Sequence, residues 1–147
     1  MSITTPPTGS SAERRGERVV AGRIPRAAAV AAVVSVVVNL VIRAIGVGPL
    51  DVSSAYEPLA SVGPTIMSTI VGAVGGAVVL WLLARFTGRP LRTFWWIAGA
   101  FLLVSLSGPL SQGSEPGGDA TAVSTLIAMH VATAAIVVGI LTALTRE

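Results

Sequence analysis

The chain has 147 residues, of which 52% are hydrophobic and 12% charged, against about 25% charged in a typical soluble domain. Charges this sparse cannot cover a water-soluble surface, and the lack of cysteine removes disulfides, thiolate catalysis and cysteine-based metal sites. The basic residues are all arginine and leave a net charge of +3; scattered as they are, they form no clustered basic face for nucleic acid.

Residues 1–25 are rich in Ser, Thr, Pro, Gly and Arg and carry no apolar period, which reads as a disordered tail. The apolar run Ala27 to Val47 is too long for the core of a secretory signal. It suits a membrane span, because a bilayer core of about 30 Å needs roughly 20 helical residues. Three further runs follow. Pro64 to Phe86 has its proline in the first turn, where the missing N–H costs nothing. Thr93 to Leu110 opens with Phe94, Trp95 and Trp96, aromatic residues that favour the headgroup level. Ala120 to Leu144 follows Asp119, a good N-cap. Turn-forming stretches separate these runs. Strands are excluded because the runs are continuously apolar, and a lone strand in lipid leaves its backbone unpaired.

The distribution of arginine sets an orientation. Arg14, Arg15, Arg18, Arg23, Arg26, Arg85, Arg89, Arg92 and Arg146 fall on one side of the predicted spans, and only Arg43 falls on the other, among Asp51, Glu57, Glu115 and Asp119. Positive residues stay cytoplasmic. The expected architecture is therefore an all-α, integral membrane four-helix bundle over residues 26–147, up-down-up-down, with both termini cytoplasmic and the chain in the cell inner membrane.

Helix association in lipid relies on close approach through small residues. Gly72 and Gly76, in line with Ser68, are expected to pack the second span, and Ala128 and Ala132 the fourth. The tripeptide Gly48-Pro49-Leu50 recurs as Gly108-Pro109-Leu110, and Ser68-Thr69-Ile70 is echoed by Ser124-Thr125-Leu126. Those matches suggest a parallel duplication of a helical hairpin, although composition this biased also produces tripeptide matches by chance.

Polar residues inside the spans gather in the outer half. Ser35, Asn39 and Arg43 share one face of the first helix by their four-residue spacing. At 1.5 Å per residue, Arg43 lies about 6 Å, Asn39 about 12 Å and His130 about 15 Å below the outer boundary. Thr65, Ser68 and Thr69 begin the second span at this level, and Ser105 and Ser107 end the third. Two readings compete. In one, these groups bond between helices or to their own backbones while Arg43 reaches the rim. In the other, Asn39, Arg43, Ser68, Thr69, Ser105 and His130 line a pocket open to the outside, with Arg43 holding an anion or lipid headgroup.

Catalysis is not expected. A lone histidine without cysteine builds no transition-metal site. The GAVGGA segment lies within a span and lacks the Lys-Ser/Thr pair of a phosphate loop. Ser105 and Ser107 have no nearby base in the sequence. No cofactor is expected either.

Val38-Asn39-Leu40 in the first helix, a proline-initiated second, a third ending Leu103-Val104-Ser105-Leu106-Ser107-Gly108-Pro109-Leu110 and a fourth with Leu126-Ile127-Ala128-Met129-His130 together resemble the uncharacterised four-helix membrane proteins of domain-of-unknown-function family 6069. The likeness covers about residues 25 to 145. Members occur mainly in high-GC Gram-positive bacteria, and the arginine-only, Ala/Val/Gly-rich composition is similar to that of such genomes. The resemblance implies the four-span topology and no activity. The expected role is that of an accessory or structural membrane protein in the lipid bilayer, working through contacts with a membrane-protein partner or a second copy. The alternative is a transporter-like or receptor-like module for a small anion or lipid.

Overall fold

The computed structural model describes residues 18–53, 56–114, 116 and 118–147. Arg14, Arg15, Glu115 and most of the expected tail lie outside the described residues. Among those described, the secondary structure is helical apart from one isolated β-bridge. The helices are α1 (Ile24–Val47), α2 (Glu57–Ala60), α3 (Val62–Phe86), α4 (Pro90–Ser105), α5 (Ser107–Ser111) and α6 (Ala120–Thr145). Four segments, Ala21–Val47, Val62–Phe86, Pro90–Ser114 and Ala120–Thr145, are long and apolar enough to cross a membrane, with mean hydropathies of 2.4, 2.2, 1.5 and 2.2.

Helix ends follow local chemistry. Pro25 and Pro90 sit in the first turns of α1 and α4, where a missing N–H leaves nothing unpaired. Each helix thereby begins three residues before the sequence expectation of Ala27 and Thr93. The Asp119 side chain caps α6 by accepting from the Ala122 N–H at 2.7 Å. The third span is not one continuous helix: α4 ends at Ser105 and α5 restarts at Ser107. Pro109 is the cause, because it cannot donate to the Ser105 carbonyl and its ring crowds that oxygen.

Residues 18–25, grouped with the tail on composition, are held in place. The Val20 N–H donates to the Thr145 carbonyl at 2.8 Å, and the Glu147 N–H to the Arg18 carbonyl at 3.2 Å. Val19 and Arg146 form the β-bridge, and Arg23 Nη1 donates to the Arg146 carbonyl at 3.1 Å. Backbone pairing with a distant partner has no local composition signal, and so the segment looked like tail.

The interior is built on α1, which packs most extensively against α6 and α3, while α4 rests on α3 and α6. The buried positions of α1 include Ala27, Ala31, Ser35 and Asn39, and those of α3 are Thr65, Thr69, Ala73, Ala77 and Leu80. These stripes of small residues at four-residue spacing let the backbones approach closely, as association in lipid requires. Large apolar side chains point outward instead: Val33 is 64% exposed, Leu103 73% and Trp96 74%. Such a surface suits lipid and not water.

At the end of the bundle away from the chain termini, the segment between α1 and α3 folds back as a cap. Asp51 takes a left-handed conformation (φ 52°), which Asp tolerates better than most residues. Val52, Tyr56 and Leu59 are then buried against Ala122, Leu126 and Met129 of α6, with Ile42 and Val47 packed beside them. The i, i+4, i+7 spacing of these three residues is the signal that turn composition obscured.

The two occurrences of Gly-Pro-Leu differ in conformation. Gly48-Pro49-Leu50 forms the turn after α1, whereas Gly108-Pro109-Leu110 lies inside α5.

Candidate functional site

Helix α1 places Ser35, Asn39 and Arg43 one turn apart on its interior face, and each meets a different environment. Asn39, 3% exposed, donates both protons of its side-chain amide, to Thr69 Oγ1 on α3 and to Thr133 Oγ1 on α6, each at 2.8 Å. Thr69 in turn donates to the Thr65 carbonyl at 2.7 Å. One side chain thus pins three helices at a single level. In an apolar medium such interhelical bonds are directional in a way that packing is not.

One turn further along, the half-buried Arg43 uses Nη2 to donate to the carbonyls of Leu59 (2.7 Å) and Ala60 (3.2 Å). These are orphan acceptors at the C-terminal end of α2, where a cation is also favoured by the helix dipole. Arg43 therefore ties the cap to α1. Tyr56, fully buried, donates its hydroxyl to Gln112 Oε1 at 3.3 Å, joining the cap to the segment after α5.

The remaining residues expected in a pocket are not brought into this cluster. His130 is half-buried, with Nδ1 2.8 Å from the Leu126 carbonyl of its own helix. A carbonyl only accepts, so Nδ1 carries the proton. Ser68 is exposed and donates to the Thr65 carbonyl at 3.2 Å, and Ser105 donates to the Leu102 carbonyl at 2.8 Å. Of the six residues expected to line a pocket, Asn39 and Thr69 meet directly, Arg43 lies one turn above them, and Ser68, Ser105 and His130 bond to their own helices.

The small-residue positions show a similar shift. Gly72 is exposed, and a β-carbon there would lie 3.9 Å from Thr133 Cγ2, whereas one at Gly76 would lie 2.9 Å from Val137 Cγ1. Ala128 is exposed and Ala132 half-buried. The tightest approach is at Gly46, buried in α1, where a β-carbon would fall 2.7 Å from Thr125 Cγ2. Sequence reading missed Gly46, Thr133 and Tyr56. The four-residue spacing Thr125, Met129, Thr133, Val137 and Leu141 was the available signal for the interior stripe of α6.

A model of the family of unknown function DUF6069 matches residues 14–147. The chain belongs to this family. The family carries no established role, so its members' function has to be argued from the arrangement of side chains. No curated protein and no solved structure matches the chain.

Proposed function

We propose that this member of the family is a multi-pass protein of the bacterial inner membrane, up-down-up-down with both termini cytoplasmic, that serves an accessory or structural role and catalyses nothing. Three contacts support the alternation of helix directions. The start of α1 lies beside the end of α6 (Val20 to Thr145), its middle beside Thr69 and Thr133, and its far end beside α2, which leads into α3, through Arg43 and Leu59. The arginine asymmetry supports a cytoplasmic position for the chain termini.

The observation that carries the functional reading is the unequal burial of the spans. In the third, 11% of the apolar window is buried, against 22%, 22% and 33% for the others. The buried residues of α4 are Pro90, Leu91 and Phe94, all at one end, while Trp95, Trp96, Phe101, Leu103 and Val104 are exposed. An α4 so lightly held leaves most of its surface free for another span, while the Asn39 side-chain amide is engaged in joining α1, α3 and α6. A second copy of the chain is the partner we infer: from Trp95 to Val104 the helix carries no charge and exposes large apolar side chains, which suits a membrane-embedded surface.

The natural absence of cysteine makes single-cysteine cross-linking clean. Phe101→Cys in native membranes should give a disulfide-linked dimer on mild oxidation, and Val33→Cys, exposed on α1, should not. Equal cross-linking at both positions, or none at Phe101→Cys, would overturn the reading. Adducts of Phe101→Cys with other membrane proteins in place of dimers would replace the second copy by a different partner.

A further inference from the structure

Six serine and threonine side chains are buried among the described residues: Ser35, Thr65, Thr69, Thr125, Thr142 and Thr145. The last four donate to the carbonyl four residues back, at 2.6 to 2.8 Å. That bond is always within reach of a helical Ser or Thr and is the cheapest way to satisfy a hydroxyl in a dry interior. Ser35 Oγ and Thr65 Oγ1 have no partner. Neither have Asn39 Oδ1, whose own amide protons are both engaged, and Arg43 Nε. Ser35, Asn39 and Arg43 follow one face of α1 over about 12 Å, and Thr65 stands one turn from Thr69, the residue that Asn39 bonds on α3. Orphaned polar atoms in a membrane interior are costly singly, and four in one column call for a common partner.

The chemistry of the four atoms selects that partner. Asn39 Oδ1 only accepts and Arg43 Nε only donates, while the two hydroxyls can do either. An anion bound along the column would face the Asn39 oxygen, and a cation would face the guanidinium. Neutral molecules that donate and accept satisfy all four. We propose that Ser35, Asn39, Arg43 and Thr65 hold a short chain of buried water molecules, entered from the rim beneath the cap at Arg43. The chain ends at Ser35, because the next turns of the interface are Ala31 and Ala27 facing Ala73, Ala77 and Leu80, which are buried and apolar. The column is a binding site closed at one end and not a path across the bundle. It replaces the anion or lipid pocket of the alternative reading with a neutral one.

Asn39 is the only asparagine and Gln112 the only glutamine in the sequence, so side-chain amide spectra contain two NH₂ pairs. In the detergent-solubilised full chain, water-to-amide cross-relaxation should appear at the Asn39 side chain with the sign of long-lived bound water. Its intensity should fall by half or more in Ser35→Ala/Thr65→Val, and in either single variant if the pair does not fold. Relay through the exchanging hydroxyls of Thr69 and Thr133 would survive those substitutions. Cross-relaxation that is unchanged in the variants, or missing at Asn39 in the unaltered protein while present at Gln112, overturns the proposal.

Discussion

Asn39 and Thr133 lie 94 residues apart in sequence and 2.8 Å apart in the structure, and the same amide nitrogen reaches Thr69. The bond joins α1 to α6, the most extensively packed pair of helices. Asn39→Leu should lower the unfolding temperature in detergent, since it removes the donor that both the Thr69 and Thr133 hydroxyl oxygens accept from. A double-mutant cycle with Thr133→Val should give a coupling of about 1 kcal/mol, the range found for interhelical bonds in membranes. Additive effects would show that the pair does not couple.

Gly46, Gly72 and Gly76 should differ in their tolerance of a methyl group. At Gly46 the new carbon meets Thr125 at 2.7 Å. Thr125 is β-branched and bonded to its own helix, so it has little freedom to move. Gly46→Ala should therefore cost about 1–3 kcal/mol as overpacking. Gly76→Ala meets Val137 Cγ1 at 2.9 Å and Leu141 Cδ1 at 3.7 Å, a slightly looser approach that should cost somewhat less, and Gly72→Ala, with ordinary contact to Thr133, should be neutral or slightly stabilising. Thermal unfolding of the three variants in one detergent tests the order.

The cap depends on Arg43. Leu59 is 1% exposed, and its carbonyl is one of the two that Arg43 bonds. Leu59→Cys should react slowly with maleimide in the otherwise unaltered chain. Adding Arg43→Ala should speed the reaction by about tenfold or more, since a hydrogen bond to a charged group contributes roughly 1.5–3 kcal/mol. An unchanged rate would mean that the apolar cluster of Val52, Tyr56 and Leu59 holds the cap without it.

Membrane sidedness is accessible to the same chemistry. Ser111→Cys and Gly88→Cys are both at exposed positions, at opposite ends of the third span. A membrane-impermeant maleimide applied to intact cells should label Ser111→Cys and leave Gly88→Cys unmodified until the cells are opened. The reverse pattern would invert the orientation argued from arginine.

The small-residue rule illustrates how far the sequence carries. It led to Ser68, Gly72 and Gly76 on α3, yet the buried stripe lies one residue along, at Thr65, Thr69, Ala73 and Ala77. On an apolar helix nearly every face carries small residues at four-residue spacing, so spacing does not choose between adjacent stripes. On α1 the polar triplet Ser35, Asn39 and Arg43 did mark the interior face, because in lipid a polar stripe must turn inward. Extending it back by four-residue steps gives Ala31 and Ala27, which are also buried.

The sequence alone determined the helical class, the number of membrane-capable spans and the inward face of α1, because hydrophobic length and polar placement in lipid are local properties. Only the tertiary structure decided the partners. It bonded Asn39 to Thr69 and Thr133, turned His130 to its own backbone, fastened Arg18 to Val20 against the end of α6 and folded Val52, Tyr56 and Leu59 into a cap. Apart from the His130 bond to its own helix, those contacts join residues far apart in the chain, and their choice depends on which helices lie together.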